Sequence, residues 1–242
     1  MKQIDFTNYK FRCSAIGKLM TSPRNKSETL SETTKTYLKD LWIKEVYGRE
    51  RDFTTKEMEK GTRQEEVALT MVTDYFEQTT GKKGILIKNK RQLENEWITG
   101  TPDLTVPFVG DIKVSWDLHT FPMFETECPE DNYYWQLAVG YAWLMGLKDG
   151  QTVKLIYVLP DAPEYQIVKA KKFSPLYDMN PDSEEYMELE QKIEDGLTFG
   201  DIPLKEKVKI FEIPVNEADR GLLKTRIEES RKYLQELHNI RG

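Results

Sequence analysis

Asp103, Asp111 and Lys113 stand close together in a stretch whose residue types alternate, and as a group they could do chemistry. Successive strand side chains point to opposite faces. In residues 96–106 that rule puts Ile98, Leu104 and Val106 on an apolar face and Thr101, Asp103 and Thr105 on a polar one. In residues 110–116 it puts Ile112, Val114 and Trp116 on one face and Asp111, Lys113 and Ser115 on the other. If the two strands pair through the turn Pro107–Gly110, two carboxylates and an ammonium converge on one face. The carboxylates repel unless a cation joins them. Magnesium suits such a site, because it takes oxygen ligands, usually one or two carboxylates with waters and phosphate oxygens. Lys113 would then orient or deprotonate an attacking water, or neutralise charge on a phosphoryl group. The plainer reading is a surface hairpin with alternating polar residues.

Further candidates lie on helices that must flank this pair. Residues 54–79 read as one long helix with Met58, Gly61, Ala68, Val72 and Phe76 as its buried stripe. Glu65 falls inside that stripe, whereas Glu66 lies about 100° away. A buried carboxylate needs a cation or an ion-pair partner. Residues 131–147 form a nearly all-apolar helix ending at Gly146, with Gln136 as its one interior polar side chain. Gln136 is either a structural hydrogen-bonder or a holder of a phosphate, a metal-bound water or Lys113. Arg12 and Ser14 open a helix over 14–21. There they serve either as a phosphate site or, for Ser14, as a simple N-cap.

The remaining elements supply a frame. A helix is expected at 31–48, with Ser31 as cap and Gly48 as stop, and others at 182–195 and 216–239. Strands are expected at 84–90, at 151–159 and, beyond the turn Pro160–Pro163, at 164–173. This order predicts an α/β (α+β) fold, a central mixed sheet flanked by helices. We read residues 1–242 as one domain, with residues 175–242 completing the core or making subunit contacts.

Composition narrows the chemistry. The 242 residues are 38% hydrophobic and 31% charged, a globular balance. No apolar run approaches the roughly 20 residues that a spanning helix needs, and the opening residues carry no signal-like run, so a cytoplasmic location is expected. Two cysteines, Cys13 and Cys128, are too few for a disulfide framework or a cysteine-ligated metal cluster. Two histidines, His119 and His238, leave carboxylates to carry any metal site. The net charge of −6 argues against a DNA-coating protein, though not against an enzyme gripping a short stretch of backbone. Basic clusters at Lys82–Lys83, Lys88–Lys90–Arg91 and Lys169–Lys171–Lys172 read as solvated surface or backbone contacts.

Taken together, Gly61 with Glu65, Gly100-Thr-Pro-Asp103, Asp111-Ile-Lys113 and Gln136 resemble the PD-(D/E)xK nucleases. More narrowly they resemble the phage lambda exonuclease and YqaJ-type viral recombinase branch, which has an element similar to Arg12–Gly17. The resemblance covers residues 11–146 and implies a restriction-endonuclease-like core. It implies one or two Mg2+ ions, with Mn2+ as substitute, on Glu65, Asp103, Asp111 and the main-chain carbonyl of Ile112. It implies that Lys113 works on the water and that Arg12 and Ser14 hold a 5′-phosphate. It further implies a phage or prophage origin, duplex DNA ends as substrate, digestion from the 5′ end, a strand-annealing partner and a ring-shaped trimer. Two positions depart from the pattern. Asp111 replaces the glutamate common in the branch, and the tyrosine that relatives carry four residues after the glutamine would fall at Gly140. Tyr141 lies about 140° from Gln136 on an α-helix and does not count as its replacement. Alternatives are an endonuclease on the same core or a non-catalytic DNA-binding subunit. An iron–sulfur nuclease is disfavoured for want of four cysteines.

Overall fold

The computed structural model describes residues 4–50, 56–84, 86–128 and 131–241, without the side chains of 56, 57 and 241. Strand β1 (Phe11–Arg12) leads through a 3-10 turn (Cys13–Ala15) into α1 (Ile16–Leu19). Then come α2 (Glu32–Tyr47), α3 (Lys56–Arg63), α4 (Glu65–Thr80), β2 (Leu93–Glu94), β3 (Ile98–Gly100) and β4 (Gly110–Val114). A composite helix joins α5 (Asp131–Tyr133), a π-helical stretch (Tyr134–Tyr141) and α6 (Ala142–Leu144). After β5 (Thr152–Val158) follow α7 (Glu164–Lys172), α8 (Glu184–Asp195), β6 (Val208–Pro214) and α9 (Ala218–Arg241).

The architecture is α+β with mixed sheets, but the strands form two sheets of three rather than one, in the orders β1-β3-β2 and β4-β5-β6. β1 runs parallel to β3, and β2 antiparallel to it. β4 runs parallel to β5, and β6 antiparallel. The expected hairpin shrinks to one antiparallel bridge, Leu104 with Gly110, which links the two sheets. The main core packs Phe11, Ile98 and Leu155 with Leu137, Val139 and Leu38, and α9 adds Leu223, Ile227 and Leu234 to it. Among the described residues no helix is long and apolar enough to cross a membrane.

Several expected elements hold. Ser31 accepts the Thr34 N–H at 3.0 Å and caps α2, which Gly48 ends. Others change for identifiable reasons. Residues 164–173 form helix α7, not a strand. Their alternation is local, and only Gln166 is buried while Val168 is 57% exposed, the pattern of one helix face resting on the protein. The described residues of 84–90 take no regular structure, because Asn89 ties its backbone and side chain to Asp103 O (2.7 Å) and Pro102 O (2.9 Å) instead of to a strand. Strand β6 was not foreseen, although VKIFEIP alternates. Residues 54 and 55 lie outside the described residues, and the long helix breaks at Gln64, whose φ of −101° and ψ of 9° are not helical.

That break is fastened from outside the helix. Gln64 Nε2 donates to Asp161 O at 3.0 Å. Lys60, fully enclosed, donates to Trp116 O at 2.9 Å and Pro160 O at 2.8 Å. Its ammonium lies over the rings of Trp116 and Phe199, and burial lowers its pKa to about 8. These bonds fix α3 against the segments that follow β4 and β5. Lys60→Met should therefore lower unfolding free energy by about 2–4 kcal/mol, because two buried carbonyls lose a charged donor. Urea denaturation followed by circular dichroism checks this.

Candidate active site

Each sheet contributes to the site. Asp103 follows β3 and Asp111 lies on β4. The bridge between Leu104 and Gly110 brings the two acids together without a hairpin. Asp103 Oδ2 accepts the Ile112 N–H at 2.9 Å. Asp111, only 4% exposed, receives Gln136 Nε2 on Oδ1 at 3.2 Å and Lys113 Nζ on Oδ2 at 2.5 Å. The expected convergence of Asp103, Asp111 and Lys113 is therefore present. The facing rule does not carry over to burial: Val106 is 74% exposed, whereas Asp111 and Ser115 are buried and Ile112, Val114 and Trp116 only half-buried.

The electrostatics follow from this crowding. Burial, and then the charge of Asp111, raise the Asp103 pKa to about 6. Burial alone would lower the Lys113 pKa, but the charge and hydrogen bond of Asp111 outweigh it and raise it. The Lys113 ammonium also lies 5.1 Å from the centre of the Tyr133 ring.

Glu65 reaches the site differently from the sequence reading. It is the first residue of α4, and its side chain is 51% exposed rather than part of a buried stripe. Met58, expected in that stripe, is 59% exposed, whereas Ala68 and Val72 are buried as expected. The break at Gln64 turns Glu65 outward, and its charge is met by Lys88. The Lys88 ammonium bonds Glu65 Oε2 and lies 3.7 Å from Asp103 Oδ1. Among the described residues, no three histidine, cysteine or acidic side chains are gathered closely enough to hold an ion as they stand. The sequence reading placed Lys88 only in a surface cluster.

Gln136 is buried and grips Asp111 rather than Lys113. Its amide also donates to the Tyr141 hydroxyl at 3.2 Å, and that hydroxyl donates to Thr101 O at 3.4 Å. Tyr141, set aside on α-helical geometry, is therefore a site residue. Residues 134–141 are π-helical, and the Ala142 N–H reaches back five residues to Leu137 O. In a helix bonded in steps of five, residues i and i+5 stack on one side, so Tyr141 comes under Gln136. Two glycines shape this arrangement. A Cβ on Gly140 would sit 3.0 Å from Cys13 Sγ and from Ile16 Cδ1, which leaves position 140 no room for a tyrosine. A Cβ on Gly100 would lie 2.6 Å from the Tyr141 ring. Burial first, then Asp111, raises the Tyr141 pKa and keeps the phenol protonated.

Arg12 and Ser14 line the same cleft as Asp103, Asp111 and Lys113, with a volume of about 850 Å³, and both are exposed. Ser14 caps no helix. It sits within the 3-10 turn, and α1 is only four residues long. β1 sets the position of Arg12 by pairing it with Thr99.

A phage-related exonuclease from Haemophilus somnus 129PT is 23% identical to this chain, with 97% of each chain covered and a TM-score of 0.72. The two chains share a fold. An alkaline exonuclease from Laribacter hongkongensis is 14% identical over 96% of this chain and 91% of its own, at a TM-score of 0.57. The same enzyme in complex with dAMP superimposes at 0.53. No family model matches this sequence, and no curated protein does. The shared fold agrees with the architecture that the PD-(D/E)xK resemblance implies.

The raised Asp103 pKa has a testable consequence for the metal-free protein. Its folded-state value of about 6 exceeds the ordinary 3.8, so the folded state binds the extra proton and stability falls as pH rises from about 4 to about 6. Asp103→Asn keeps the acceptor for the Ile112 N–H and removes the charge. In chelator it should melt higher than the parent at pH 7, and the gain should vanish near pH 4. Thermal melts at the two pH values decide it.

Proposed function

We propose that this chain is a magnesium-dependent deoxyribonuclease that digests duplex DNA from the 5′ end and leaves 3′ single strands. The observation that carries this reading is the convergence of Asp103, Asp111 and Lys113 in one cleft with Arg12 and Ser14. The exonuclease fold supports exonuclease over endonuclease action.

The donor set suits a hard cation. Asp103 and Asp111 are oxygen donors, and burial first, then the charge of Asp111, raises the Asp103 pKa, so a cation placed between them would relieve both costs. Magnesium needs only one or two protein carboxylates. Glu65, once free of Lys88, and the main-chain carbonyl of Ile112 complete the proposed set, and Mn2+ would substitute. Bound there, the metal supplies an acidified water and positive charge at the phosphoryl oxygens. The chain's own groups do the rest. Lys113, held charged by Asp111, orients the water and offers a proton-bearing ammonium to a phosphate oxygen. Gln136 fixes Asp111 Oδ1, the oxygen that Lys113 does not hold, and Tyr141 fixes Gln136. Arg12 and Ser14 receive the terminal 5′-phosphate. The same reading includes action beside a strand-annealing protein, a ring-shaped homo-oligomer, and a cytoplasmic, phage-encoded setting.

Linear duplex labelled at either end, beside a covalently closed circle, tests the reading with magnesium and with chelator. Early release of 5′-labelled mononucleotides, with the circle intact, is the expected result. Cutting of the circle moves the assignment to an endonuclease, and cleavage of neither substrate by a folded, DNA-binding protein to a non-catalytic subunit. Lys113→Met should cost about 10²–10⁴ in kcat. Tyr141→Phe should lower kcat about tenfold with KM nearly unchanged, because it acts through Gln136 on Asp111. Arg12→Ala should reduce the preference for 5′-phosphorylated over hydroxyl ends by about tenfold or more, the value of one charged hydrogen bond. Single-turnover assays on the two kinds of end measure it.

A further inference from the structure

We propose that Lys88 is the internal counter-ion of the metal-free site, and that a divalent cation must expel its ammonium in order to bind. This rests on the reading of Glu65 and Asp103 as metal ligands. The Lys88 ammonium bonds Glu65 Oε2 and lies 3.7 Å from Asp103 Oδ1, so a single cation already links an α4 carboxylate to the one that follows β3.

The placement is built by the backbone rather than reached by a swinging side chain. Next to Lys88, the Asn89 N–H donates to Asp103 O at 2.7 Å, and Asn89 Nδ2 to Pro102 O at 2.9 Å. On its other side Leu86 is buried with Ala68 and Val72 of α4. The stretch carrying Lys88 is thus fastened both to the helix of Glu65 and to the main chain of Asp103. Magnesium binds carboxylate oxygen at about 2.1 Å. A metal ion bridging these two carboxylates would occupy the place of an ammonium already in contact with one and near the other, and the two cations repel. Metal affinity is therefore reduced by whatever the Lys88 contacts contribute. For two partly exposed ion-pair contacts that corresponds to roughly a tenfold factor.

Calorimetric titration of the full chain with Mn2+, without DNA, tests this. Lys88→Gln and Lys88→Ala should bind Mn2+ about tenfold more tightly than the parent, and Lys88→Arg should bind like the parent. Lys10→Gln removes a charge from a lysine that lines the same cleft but pairs with Glu94 at 2.8 Å, and it should bind within about twofold of the parent. Parent-like affinity in Lys88→Gln overturns the proposal, as does an equal gain in Lys10→Gln. Failure of the parent to bind any divalent ion overturns the metal reading itself.

Discussion

Like charges held close together in a poorly hydrated place repel, and the Asp103–Asp111 pair sets the terms for the groups around it. Two unit charges about 4 Å apart repel by about 4 kcal/mol at an effective dielectric of about 20. One neutral hydrogen bond returns about 1 kcal/mol. No single neighbour can hold such a pair, and the structure uses several. The Ile112 amide and Lys88 act on Asp103, while Gln136 and Lys113 act on Asp111. Each helper then needs support of its own. Tyr141 steadies Gln136, and the bare Gly100 makes space for Tyr141.

This dependence explains why so much chain converges on one cleft. β1 and β3 carry Arg12 and lead to Asp103, β4 carries Asp111 and Lys113, α4 carries Glu65, and the composite helix carries Gln136 and Tyr141. Among the described residues the Leu104–Gly110 bridge is the backbone pairing that joins the two sheets, and other bonds hold the helices in register with them. Lys60 and Gln64 do so for α3 and α4, each bonding a carbonyl of the segment after β5. A buried lysine is an expensive clamp, but its ammonium satisfies two carbonyls at once.

What could be read in the sequence divides along physical lines. The polar faces of residues 103 and 111–113 follow from the two-residue strand period, a purely local property, and the structure keeps them. The caps at Ser31 and Gly48 are equally local. The errors come from patterns that fit two structures and from choices made by distant groups. Alternation in 164–173 suits a strand, but a helix resting one face on the protein shows a similar pattern over nine residues. The break that turns Glu65 outward is secured by Lys60 and Gln64 bonding a loop about a hundred positions away. The Gln136–Tyr141 pair depends on Cys13 closing position 140. For Tyr141, the run of small and apolar residues around Gly140 was a sequence sign, but the wide turn itself has no local signature.

The widened turn between Gln136 and Tyr141 also bears on how such proteins are compared. A turn closed by bonds reaching back five residues takes roughly one residue more than an α-helical turn, so it can hold an added residue as a local bulge. In this chain the hydroxyl that Gln136 touches stands five residues further along. A pattern written as a fixed interval of four residues misses this contact. Contacts of this kind are better judged by which atoms touch than by the count of residues between them.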